Sequence, residues 1–99
     1  MRKGIMSRKF TAKLLGGKLI LENVSGKNLF VREVLVKYKV TVVTPQGDVG
    51  VRTITDEVKV EGELKKDGKI ELPLTTSDVV EVSVIFKDGD ITLREDISL

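Results

Sequence analysis

The residues of this chain with chemical potential are carboxylates set in pairs, scattered serines and a cluster of cations near the N-terminus. Asp56-Glu57, Asp88-Gly89-Asp90 and Glu95-Asp96 each place two acids close together. Calcium takes about 6–8 oxygen ligands, and loops of a β-protein can gather them from several turns. Asp88 and Asp90 are the best pair for that role, but Asp-Gly-Asp is also what a hairpin turn asks for, and the turn is the reading taken. Ser7, Ser25, Ser77, Ser83 and Ser98 have no His or Cys to activate them, because the chain contains neither, and nothing marks a Ser–Lys pair. Gly16-Gly17-Lys18 is too short to be a phosphate-cradling loop. The expectation is no catalytic residue, no metal and no cofactor, and hence not an enzyme.

The cations offer a different chemistry. Six of the 17 basic residues lie within 1–18, which hold none of the 15 acidic ones, so the remainder carries 11 basic against 15 acidic residues, a net of −4. Arg2, Lys3, Arg8, Lys9 and Lys13 form a surface able to meet an anionic partner, such as the phosphates of a nucleic acid or an anionic lipid. Phe10 is the only aromatic nearby to stack on a base, and no nucleic-acid motif occurs. A solvated, solubilising arm is the plainer reading.

Such residues need elements to hold them, and the pattern supplies only strands. Val34, Val36, Tyr38, Val40 and Val42 alternate with Leu35, Lys37, Lys39 and Thr41, the period of a strand with one buried face. This arm opens a long extended stretch, 29–60, that folds back at Thr44-Pro45-Gln46-Gly47-Asp48. The apolar phase shifts between Val51 and Ile54, which predicts a bulge or bend there. Asp56-Glu57 then interrupts the return, so the stretch reads as one long strand followed by two shorter ones, able to cross between sheets. Segment 8–15 fits a strand or a helix; the turn at Gly16-Gly17 favours the strand. Lys18–Val24 is a strand and Ser25-Gly26-Lys27-Asn28 a turn. Lys65-Lys66-Asp67-Gly68-Lys69 and Lys87-Asp88-Gly89-Asp90 read as tight hairpins. Residues 70–74, 80–86 and 91–94 are further strands, with a polar loop at Thr75-Thr76-Ser77-Asp78.

Charged residues make up 32% of the chain. The dominance of Lys and Glu, with little Met, Asn, His or Cys, matches the ion-pair networks of a hyperthermophile surface. A designed protein shares that bias, but the irregular loop Val24–Asn28 is unlike an idealised design. No stretch approaches the roughly 20 apolar residues of a membrane-spanning helix, and the N-terminus lacks the apolar core of a signal peptide, so the default localisation is cytoplasmic.

Two segments carry a family likeness. Leu19-Ile20-Leu21-Glu22-Asn23-Val24-Ser25-Gly26-Lys27-Asn28, followed by Phe30-Val31-Arg32-Glu33-Val34, resembles the strand, Asn, small turn, strand opening of prokaryotic immunoglobulin-like domains. These include archaeal pilin and archaellum proteins and bacterial adhesion modules. Ile70-Glu71-Leu72-Pro73-Leu74 and Val80–Gly89 are similar to their closing strands. The likeness departs at the N-terminus, where those filament proteins begin with an apolar helix and this chain does not. It implies a structural or adhesive role in which strands supply the contacts, and a cell-surface location if the pilin type holds.

About seven or eight strands with turns every ~8–12 residues predict an all-β, immunoglobulin-like antiparallel sandwich over 8–99, with a small β-barrel as the alternative and a flexible arm at 1–7. The predicted core is Leu19, Leu21, Val34, Val36, Tyr38, Val40, Val42, Val58, Val60, Ile70, Leu72, Val80, Val82, Val84, Phe86, Ile91 and Leu93. The expected function is a non-catalytic structural or protein-interaction module, self-associating or serving an archaeal partner, with Leu35, Lys37 and Lys39 as the protein interface. A small nucleic-acid-binding protein acting through the basic arm is the alternative.

Overall fold

A computed structural model describes residues 8–74 and 78–99; the arm at 1–7 and most of the loop expected at 75–78 lie outside them. The described chain forms seven strands: β1 (Phe10–Leu15), β2 (Lys18–Asn23), β3 (Leu29–Val43), β4 (Val49–Leu64), β5 (Lys69–Pro73), β6 (Val79–Asp88) and β7 (Ile91–Ser98). They make two antiparallel sheets, one of three strands in the order β1-β2-β5 and one of four in the order β4-β3-β6-β7. The strand reading of 8–15 holds for its last six residues. Gly16 and Gly17, both at positive φ, close the two-residue turn that returns β1 onto β2.

Alternation explains the core. β2 contributes Leu19 and Leu21, β3 contributes Val31, Val34 and Val36, and β6 contributes Val82, Val84 and Phe86, all buried in one cluster shared by both sheets. The rings of Phe10 and Phe86 meet edge to face at 4.9 Å across the two sheets. Leu29, Leu64, Val79 and Ile97 are also buried, although the periodicity did not single them out.

Several expectations are corrected. β4 is one unbroken strand, not two, and its register against β3 runs without a shift from Val49 to Lys59. The irregularity lies further on, between Val31 and Glu33, where β4 inserts Val60 and Glu61 opposite the single residue Arg32. Glu61 takes a positive φ of 48° there, the mark of a bulge. The ribbon therefore stays within one sheet. The segment 65–69 is not a hairpin, since β4 and β5 belong to different sheets. A tight turn does form, with the Gly68 N–H donating to the Lys65 carbonyl at 2.8 Å. Asn23 then claims its backbone, donating its own N–H to the Gly68 carbonyl and accepting the Asp67 N–H. A Cβ on Gly68 would stand 2.9 Å from the Lys65 oxygen and 3.2 Å from Leu64 Cδ1, so the turn closes on the core only without one.

Within the predicted core, Ile91 and Leu93 are exposed, although they share a sheet face with Glu95 and Ile97. Val80 gives way to Val79 because β6 carries an extra residue opposite Lys37 and Tyr38, which changes its phase. Val40 and Val42 are only half-buried and stand outside the cluster.

Candidate functional site

The three most exposed large apolar side chains among the described residues stand where the β3–β4 ribbon outruns its neighbours. β6 first pairs with β3 at Tyr38. Beyond it, Val40 to Val43 pair only with β4 among the described residues, through Arg52, Val51, Gly50 and Val49. The ribbon is closed by the Thr44 N–H donating to the Asp48 carbonyl, the Gly47 N–H donating to the Thr44 carbonyl, and the Asp48 N–H donating to Thr44 Oγ1. Directly opposed residues of an antiparallel pair share a face. Val43 and Val49 oppose one another, and Val51 opposes Thr41 one step along the same face. The three valines are 66, 69 and 65% exposed, which makes them an apolar patch rather than scattered singles. A shallow open notch of about 330 Å³ lies at the fork, lined by Lys39, Val40, Thr41, Asp78, Val79 and Val80.

The expected interface residues divide across this fork. Leu35 and Lys37 lie on the outward face of the four-stranded body, in rows that run Glu57–Leu35–Ser83–Asp96 and Thr55–Lys37–Glu81–Ser98 across β4, β3, β6 and β7. Lys37 Nζ is held by Glu81 at 2.6 Å. Ser83, fully buried, donates its hydroxyl to Asp96 Oδ1 at 2.6 Å, and Arg94 Nε donates to the same oxygen at 2.8 Å. The Ser83 hydroxyl, then the Arg94 guanidinium, hold the Asp96 carboxyl below its ordinary range. Half-buried Leu35 thus sits inside a polar lattice. Lys39 is exposed at the base of the projecting ribbon, its N–H donating to the Asp78 carbonyl at 3.2 Å. The patch at Val43, Val49 and Val51 is what sequence reasoning missed. Its signal was present: these valines occupy odd positions, opposite in phase to the even residues of the core face.

The cations of the N-terminal arm are only partly brought together. Arg2 and Lys3 lie outside the described residues. Arg8 and Lys13 are exposed, and Lys9 is half-buried. On the outward face of the three-stranded sheet, Lys13 opposes Ile20, which opposes Glu71, and Thr11 opposes Glu22. Glu71 is itself paired with Lys18 at 3.2 Å. Carboxylates interleave with the basic residues, so among the described residues the positive charge forms no continuous track.

The paired carboxylates mostly serve the fold. Asp88 Oδ2 meets Lys27 Nζ at 2.7 Å. Glu95 accepts the backbone N–H groups of Lys9 at 2.9 Å and Phe10 at 3.1 Å, tying the edge strand of one sheet to the edge strand of the other. Asp56 lies near Tyr38, whose phenol is pushed up, first by burial and then by the charge of Asp56. Among the described residues no three His, Cys, Asp or Glu side chains gather as metal ligands, and no helix is long and apolar enough to cross a membrane. Compared with protein-family models, curated proteins and solved structures, the chain finds no match in any of the three.

Proposed function

We propose that this protein is a non-catalytic interaction module of immunoglobulin-like sandwich type, which binds protein, including further copies of itself, through the projecting β3–β4 ribbon. The observation that carries the reading is the patch of Val43, Val49 and Val51 on a two-stranded extension with no third strand beside it among the described residues. A lone hairpin is marginally stable in water, and a patch of valines on it is a cost unless something covers it. Among the described residues β4 is an edge strand, and an edge offers backbone donors and acceptors of the kind that accept a further strand.

The strand order favours the sandwich type. β1-β2-β5 and β3-β6-β7 follow the A-B-E and C-F-G sets of an immunoglobulin domain, while β4 stands beside β3 instead of at the edge of β5. That placement lengthens the C-F-G-like sheet and sends the ribbon outward. Function through nucleic acid is the weaker reading, because the described part of the basic arm is interrupted by Glu22 and Glu71.

Light scattering across a wide concentration range tests the proposal. Wild-type protein is expected to form a dimer or larger species. Replacing Val43, Val49 and Val51 by Thr is expected to weaken association while leaving the melting temperature nearly unchanged. A protein that stays monomeric at every concentration, with a salt-sensitive gel shift on nucleic acid, would overturn it in favour of the basic arm.

A further inference from the structure

The free edge of β4 carries more information than its exposure. Natural edges are usually short, bulged, or guarded by Pro and inward charge. β5 has five residues and ends in Pro73, and β1 has six. β4 has 16. Its regular part is bounded by the turn at Asp48 and by the bulge at Val60 and Glu61, which leaves Val49 to Lys59 in unbroken register. The middle residue of that run is Ile54.

The charges are arranged about the same point. Arg52 and Asp56 lie two residues on either side of Ile54 and on one face with it, opposite Val40, Val36 and Tyr38 of β3 respectively. At about 3.3 Å per residue they stand roughly 13 Å apart along their own strand, too far to pair with each other. Among the described residues Arg52 has no ion-pair partner within 4.0 Å.

We propose that β4 pairs edge to edge with β4 of a second copy, antiparallel about a two-fold axis through Ile54, which joins two four-stranded sheets into one. The inference rests on the self-association reading and names its partner and register. The axis, normal to the sheet, sets Arg52 opposite the partner's Asp56 and Asp56 opposite the partner's Arg52. Ile54 meets its own copy, Thr53 meets the partner's Thr55, Val51 the partner's Glu57 and Val49 the partner's Lys59. Every opposed pair is unlike in charge or uncharged on at least one side, and the whole regular edge is used.

Other registers are poorer. An axis through Asp56 or Glu57 sets a carboxylate against itself, which is destabilising when directly opposed. An axis through Thr53 or Thr55 loses both ion pairs. One through Val58 runs the pairing into the bulge. The interface is isologous, as a two-fold requires, and it sets the exposed Val51 and Val49 of each copy against the partner's Glu57 and Lys59.

Charge exchange tests it. Arg52→Glu alone and Asp56→Lys alone each place like charges opposite one another twice, and each is expected to weaken self-association roughly tenfold or more. A mixture of the two singly substituted chains restores unlike pairs at both positions, so it is expected to form a heterodimer near wild-type strength, as is the Arg52→Glu/Asp56→Lys double variant with itself. Both positions are exposed, and circular dichroism checks that each variant folds. Because the chain has no cysteine, Ile54→Cys reports the register directly: oxidation is expected to yield a covalent dimer, and Val49→Cys is expected to yield none. If wild type associates but the mixture gains nothing over either single variant, and Ile54→Cys fails to cross-link, this register is overturned while the interaction reading stands. If wild type is monomeric throughout, the pairing falls together with the self-association part of the reading.

Discussion

Asn23 is the residue on which the two sheets depend most. It is fully buried, and its Nδ2 donates to the carbonyls of Lys27 at 2.8 Å, Leu64 at 2.9 Å and Lys65 at 3.2 Å. Its Oδ1 accepts the N–H and the hydroxyl of Ser25. One amide thereby fastens two connections between the sheets, β2 to β3 and β4 to β5. Asn23→Ala takes this donor from the buried Leu64 carbonyl, while the Lys65 carbonyl keeps the Gly68 N–H and the Lys27 carbonyl the Ser25 hydroxyl; the expected loss is roughly 1–3 kcal/mol, read as a lower urea midpoint at unchanged slope. Asn23→Asp is expected to do at least as badly, because it turns an oxygen toward those same carbonyls. Little change in either variant would mean that water replaces the amide. The sequence shows Asn23 in a strand-to-turn junction, which suits its own turn. Nothing local reveals that it also holds Leu64 and Lys65, more than forty residues away.

At the scale of elements, alternation was legible and edges were not. The even positions of β3 pointed correctly to Val34 and Val36, because a 15-residue strand repeats its signal often enough to be plain. The return strand misled because Val49 and Val51 are apolar on the face away from the core, and a change of phase was read as a change of strand. Asp67-Gly68 misled for another reason: its turn chemistry is local, whereas the choice between pairing with β4 and crossing to β2 is made by Asn23 and by burial of Leu64. The clasp between β7 and β1 was equally invisible, since Glu95 reaches residues 86 and 85 positions away in sequence. Its effect is testable. Glu95→Ala removes the acceptor for two backbone N–H groups at the start of an edge strand, a loss of about 1–3 kcal/mol. Amide exchange is expected to accelerate first at Lys9 and Phe10 and then along β1, while Val34 and Val84 remain protected. Uniform acceleration across both sheets would show instead that β1 has no opening of its own.

At the scale of the molecule, the titrating groups leave neutral pH untouched. There is no His, so no side chain has an ordinary pKa between about 5 and 8. The shifts that do occur lie at the two ends of the scale. Asp96 is lowered, by the Ser83 hydroxyl first and then by Arg94. A carboxyl lowered in the folded state contributes stability above its unfolded value of about 3.9, and this is lost as pH falls through the folded value. Tyr38 is raised, by burial first and then by Asp56. Its contribution is present below the unfolded value of about 10 and is lost as pH rises through the folded value. The melting temperature is therefore expected to be level from about pH 5 to pH 9, falling on either side. Asp96→Asn should shallow the acid limb, because the amide no longer takes up the proton that unfolding favours, and Tyr38→Phe should do the same to the alkaline limb. A step in the melting curve near pH 6 to 7 would place the controlling group elsewhere. Asp96 lies on the body of the sheet, so its titration should lower melting at any protein concentration.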